Sequence, residues 1–136
     1  MRRILIVSHF YLADGFKSSL DYFMPNTNNI DAICAFVDGV DVEKEIDSYM
    51  NNHNDDEIIA FTDILFGSVN QMLTKYLSKE NFHLITGINL PILLEIATKP
   101  SDVPFQKDEI ERIVNNCRSS ITYMNTYKTE ASDEDE

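Results

Sequence analysis

Cysteine is scarce in this chain of 136 residues: Cys34 and Cys117 are the only two. Two are too few for a disulfide framework, and no Cys/His spacing matches a zinc site, so no metal is expected. The pair is expected as free, buried thiols in a reducing compartment. Basic residues are also few, 11 Lys and Arg against 23 Asp and Glu, for a net charge of −12. Such a field opposes binding to nucleic acid and to anionic membranes, and it steers a basic protein partner toward the surface. Long apolar runs are missing. Ile4 to Val7 stops after four residues, short of the ~7–15 of a secretory signal despite Arg2 and Arg3 before it. Nothing approaches the ~20 apolar residues of a membrane span. A cytoplasmic protein with no direct membrane insertion is expected. There is no internal repeat, and the acidic tail from Glu130 to Glu136 is the one stretch of low complexity. That tail is expected to be disordered.

What is present is an ordinary globular composition, 43% hydrophobic and 25% charged, long enough for one domain over residues 1–129 with a full core. The chain is organised around Ile4-Leu5-Ile6-Val7-Ser8-His9-Phe10, a short buried strand with a histidine at its carboxyl end. Leu12, Phe16, Leu20 and Phe23 follow at helical spacing. Met24-Pro25 and the asparagines after it end that helix. Ile30 to Val37 reads as a second strand, and Val42 to Met50 as a helix capped by Asp41. Glu57 to Thr62 is a third strand ending at Asp63. Gly67-Ser68 opens a helix through Val69, Met72, Leu73, Tyr76 and Leu77. Asn81 to Ile88 is a fourth strand, followed by helices over Leu90 to Ala97 and Lys107 to about Tyr123, Pro91 lying just inside the first.

Strand and helix alternate four times. That pattern predicts an α/β fold with a doubly wound, mainly parallel sheet and helices on both faces, strand 1 central and strand 3 beside it. His9 and Asp63 then face each other across the crevice at the carboxyl edge. A carboxylate there fixes the imidazole tautomer: one ring nitrogen donates to the acid and the other keeps an outward lone pair. Such a histidine can attack phosphorus. Phosphoryl transfer also needs donors for the equatorial oxygens. The backbone N–H groups of Phe66, Gly67 and Ser68 at a helix start, and the Ser68 hydroxyl, suit that need. His53, in a polar loop, and His83, on a strand, have no carboxylate in a comparable position, and Asp14 reads as a solvated acid at a helix start.

With these residues in view, the chain resembles the IIA component of the mannose family of the bacterial sugar phosphotransferase system (PTS). The resemblance rests on three stretches: Ile4-Leu5-Ile6-Val7-Ser8-His9 with Leu12-Ala13-Asp14-Gly15; Thr62-Asp63-Ile64-Leu65-Phe66-Gly67-Ser68-Val69-Asn70; and Thr86-Gly87-Ile88-Asn89-Leu90-Pro91. It implies that His9 accepts a phosphoryl group from the phosphocarrier protein HPr and passes it to a IIB component. On the same ground Asp63 orients the ring, Ser68 is a pocket donor and Phe36 is an apolar pocket wall. No cofactor is implied, and a homodimer using the C-terminal region is. The chain departs from the family at Phe10 and Phe66, where glycines are usual, and bulk there either narrows the pocket or alters how a partner docks. The phosphotransfer subunit of dihydroxyacetone kinase shares the Val-Ser-His opening and is the nearest alternative. A receiver-like domain phosphorylated on Asp63 would need an acidic pair after strand 1 to hold Mg²⁺, where Ser8-His9 stands. A flavodoxin-like cofactor binder would need a Ser/Thr/Gly-rich phosphate loop, which does not follow strand 1.

Overall fold

A computed structural model describes residues 1–128, and the acidic tail lies outside them. Four strands and five helices alternate as β1 (Arg2–His9), α1 (Leu12–Phe23), β2 (Ile30–Ala35), α2 (Val42–Asn52), β3 (Glu57–Thr62), α3 (Ser68–Thr74), β4 (Phe82–Thr86), α4 (Leu90–Ala97) and α5 (Lys107–Arg118). The sheet order is β2-β1-β3-β4, and every pairing is parallel. This is the doubly wound arrangement that the alternation predicts, with β1 and β3 as neighbours.

Two compact units divide the chain, Met1–Pro104 and Phe105–Glu136. The first contains the sheet. Ile4 to Val7 are each no more than 1% exposed, which is why β1 reads as a continuous apolar run rather than an alternation. Leu5, Val7, Ile33, Ala35, Ile58 and Ala60 share one core with Val42, Ile46 and Met50 of α2 and Val69 and Leu73 of α3. The alternate residues Ile4, Ile6, Ile59 and Phe61 are buried as well and belong to the other face. There α1 packs on β1 and β2 and touches α4. Each fully buried aliphatic side chain of this kind contributes roughly 1.5–3 kcal/mol.

The element ends differ from the spacing in ways that local chemistry explains. β2 stops at Ala35 rather than Val37 because Phe36 turns left-handed, at φ 65°. α3 stops at Thr74, and the helical spacing to Leu77 continues as tighter turns: Tyr76 N–H donates to Leu73 O and Leu77 N–H to Thr74 O. In the second unit, α5 ends at Arg118, five residues before the predicted end. The Ser119 and Ser120 hydroxyls donate to the Asn116 and Cys117 carbonyls, drawing off acceptors of the last turn. Asp41 caps α2 by accepting from Lys44 N–H, as its position predicts. Asn89 does the same for α4, with Pro91 in the first turn.

At the amino edge of the sheet, Arg2 is buried to 2% exposure. Its Nε donates to Glu57 at 2.6 Å and its Nη1 to Pro100 O at 2.8 Å, and Nη2 reaches Val103 O. One side chain thereby fastens the start of β1 to β3 and to the segment after α4. Replacing it removes the guanidinium donors from a largely covered carboxylate and from several carbonyls. Arg2→Ala should therefore lower the unfolding free energy by about 3 kcal/mol, read as a shift of the urea midpoint at constant slope. A change below about 1 kcal/mol would mean that water repairs the gap.

Candidate active site

The site begins where β1 and β3 end. Their ladder closes at Val7↔Thr62, and the next rung is made by a side chain: the His9 backbone N–H donates to Asp63 Oδ2 at 2.9 Å. The same carboxylate meets the ring, with His9 Nδ1 at 3.0 Å from Oδ2 and 3.2 Å from Oδ1. Oδ1 also accepts from the Ile64 N–H at 3.0 Å. Asp63 thus holds main chain and imidazole together. Its side chain is 8% exposed against 30% for His9, so the acid is sunk beneath a ring that reaches solvent. Burial alone would raise the Asp63 carboxyl. The donated His9 backbone N–H, the ring hydrogen bond and its charge outweigh that and hold it below its ordinary value. With Nδ1 occupied by the acid, Nε2 is the nitrogen left for chemistry.

The walls come from the neighbouring strand ends. The Phe36 ring lies 5.4 Å from the imidazole, tilted by 36°. Phe36 follows Ala35, which is paired in register with His9. Across the site, a Cβ on Gly67 would stand 3.1 Å from His9 Cε1 and 3.3 Å from Ile64 O, so any side chain there would press on the ring. The structure brings His9, Asp63, Phe36 and Gly67 together. It does not deliver every donor that the sequence suggests: the Gly67 N–H is spent on Ile64 O at 3.2 Å. Ser68 is exposed, and the Phe66 ring is 85% exposed, too open to wall a pocket. The Ser68 N–H, in the first turn of α3, has no intrahelical partner.

Three positioning residues escape the sequence reading. Ser8, fully buried, accepts the Ala13 N–H at 2.6 Å and so performs the capping that Tyr11, at the α1 N-cap, does not. Thr62 donates to Asn70 Oδ1 at 2.8 Å, and Asn70 Nδ2 donates to Leu65 O at 3.0 Å, which fixes the loop from Asp63 to Gly67. A serine at the end of an apolar strand, and an asparagine early in a helix, were the available signals. The other histidines need correcting, because both do have carboxylate neighbours. His53 Nδ1 lies 3.2 Å from Asp56 and its ring 4.5 Å from that of Tyr49, while His83 Nε2 lies 3.9 Å from Glu57. Both side chains are more covered than that of His9. Among the described residues no group of three or more His, Cys, Asp and Glu is gathered as a metal site, and no helix is long and apolar enough to cross a membrane.

The fold is shared. Residues 3–114 match the family profile described as PTS system fructose IIA component. A structure from Klebsiella pneumoniae, described as a phosphoenolpyruvate-dependent sugar PTS permease, is 30% identical with a TM-score of 0.77, covering 92% of each chain. A PTS IIA protein of Streptococcus pneumoniae associated with a fucose utilization operon is 26% identical with a TM-score of 0.74, over 91% of this chain and 93% of that one. At 22% identity, a Streptococcus agalactiae EIIA component shares the fold, with a TM-score of 0.75 over 93% of this chain and 100% of that one. No curated sequence matches significantly. Four parallel strands, the His9–Asp63 pair at their carboxyl edge and the match over most of the length lead to one assignment: the chain belongs to the mannose-type (EIIA-man) family of PTS IIA components.

Proposed function

We propose that this IIA component is a cytoplasmic phosphoryl carrier that takes phosphate from phospho-HPr on His9 Nε2 and passes it to a IIB component for sugar uptake. The carboxylate on Nδ1 is the observation that carries this reading, because it leaves the opposite nitrogen as nucleophile. In its neutral form the ring donates Nδ1–H to Asp63 and attacks phosphorus with the Nε2 lone pair. The P–N bond of the donor breaks as the new one forms, and its electron pair returns to the donor imidazole. His9 is left N-phosphorylated with Nδ1 still protonated, and Asp63 meets the resulting positive charge. Transfer to IIB is the same exchange in reverse. The Ser68 N–H and hydroxyl and the Phe66 N–H are proposed to hold phosphoryl oxygens, with Phe36 covering the ring. Neither metal nor nucleotide enters this step.

Residues 1–129 are proposed to work as one domain, since the family match at 3–114 spans both compact units. A homodimer through the C-terminal region is part of the same proposal, and exposed Ile121, Tyr123 and Met124 after α5 support it. A receiver-type acyl phosphate on Asp63 is disfavoured, because that carboxylate is 8% exposed and already engaged by the His9 N–H and ring.

Incubation with enzyme I, HPr and phosphoenolpyruvate should place one acid-labile, base-stable phosphate on His9. His9→Ala should abolish the label, and full labelling of that variant would end the proposal. Asp63→Asn should slow transfer by about 10²-fold with the fold retained, and unchanged single-turnover rates would remove Asp63 from the mechanism. The pair also sets a pH dependence. The folded carboxyl lies below its ordinary value of 3.8, so its stabilisation is complete above that value and is lost as pH falls through the folded one. The Tm advantage of wild type over Asp63→Asn should therefore be largest near neutrality and shrink in acid. A gap independent of pH would show that the carboxylate charge is not what stabilises.

A further inference from the structure

Two adjacent strands end in the same unusual way. Phe10 follows His9 and Phe36 follows Ala35, its register partner, and both phenylalanines have left-handed backbones, at φ 52° and 65°. Bulky residues avoid this region, which glycine enters freely. For Phe36 the ring contact with His9 gives a reason. Phe10 has no such reason inside the molecule. Its backbone N–H donates to Ala35 O, as a glycine there would, while its side chain is 58% exposed and makes no ring contact among the described residues. A strained backbone that packing does not repay points to a use outside the chain.

The surroundings say what that use is. Tyr11, Ile64, Leu65 and Phe66 are 65%, 55%, 54% and 85% exposed, so an apolar collar stands open around the imidazole. No Asp, Glu, Lys or Arg occurs at positions 10–12, 36–37 or 64–68; the first charges after the first two stretches are the exposed acids Asp14 and Asp38, Asp63 before the third is sunk under the ring, and Lys75, just past the end of α3, is paired with Glu43 and Asp47. An open apolar patch with an acidic rim fits a protein surface with an apolar centre and cationic flanks. A second copy of this chain is a poor occupant, since it would set acidic rim against acidic rim at a net charge of −12 per chain.

We propose that Phe10 is a specificity-determining contact for the phosphoryl-donating protein, inserted into an apolar patch ringed by cations on that partner. The proposal rests on the carrier reading above. It assigns the left-handed phenylalanine to partner recognition rather than to the chemistry at His9.

The test compares wild type, Phe10→Gly and Phe10→Leu with two phosphoryl donors: phospho-HPr and phosphoramidate, a small molecule that needs no docking surface. Phe10→Gly removes the side chain and suits the backbone. Its KM for phospho-HPr should rise about tenfold more than its KM for phosphoramidate, as for loss of an aromatic anchor, with Tm no lower than that of wild type. Phe10→Leu should recover most of the difference. Equal losses with both donors would place Phe10 in the chemistry, and no loss with either would leave it without a role; each overturns the proposal. So would a dimer in sedimentation that Phe10→Gly dissociates, because the collar would then belong to a second copy. Wild type that labels His9 from phosphoramidate but not from phospho-HPr would defeat the carrier reading itself, and this inference with it.

Discussion

Everything at the carboxyl edge of the sheet depends on one carboxylate drawn out of water between two parallel strands. An ionised acid in that position is unfavourable unless donors meet it. Here they are the backbone N–H and ring of His9 and the N–H of Ile64. Because two of those donors belong to one residue, satisfying the charge and aiming the imidazole are a single event. The parallel register makes this available: with Val7 opposite Thr62, the next residues of the two strands come within reach of each other without a loop having to bring them there. A different strand order would have separated the same two residues by a strand's width.

The fold was legible because its signals are local. Runs such as Ile4 to Val7 and Ile58 to Phe61 are apolar on both faces only if helices cover both, and parallel strands need those helices as crossovers. Once strand 1 is central, the meeting of His9 and Asp63 follows. Hidden were the features made by contacts distant in sequence. The anchoring by Arg2 is one, since nothing near it in sequence announces Glu57 or the carbonyls of Pro100 and Val103. His83 looked unaccompanied for the same reason, whereas the Asp56 beside His53 stands only three residues on. Gly67-Ser68 promised a set of amides, but a turn back to Ile64 uses the first. The left-handed phenylalanines were unreadable because propensity assigns such a backbone to glycine.

The support of the site is polar and small in scale. Ser8, Thr62 and Asn70 are buried and contribute hydroxyl and amide groups that fix the entry to α1 and the loop before α3. A satisfied buried network of this kind defines one arrangement, because every displaced member strands a partner. The imidazole is therefore held from below by an acid, from the side by an aromatic ring and from behind by a loop that cannot slacken.

The opposite end of the sheet is held together by other means, the Arg2 ion pair and its carbonyls. Seven residue steps of extended β1 separate Arg2 from His9, about 23 Å at strand rise, well past the ~7–10 Å over which substitutions usually interact. Natural selection can therefore rewrite one rim while leaving the other's energetics alone. A lineage adopting a new interlocutor needs only to vary the aromatic tips, and the anchoring arginine at the far edge is free to stay constant while it does so.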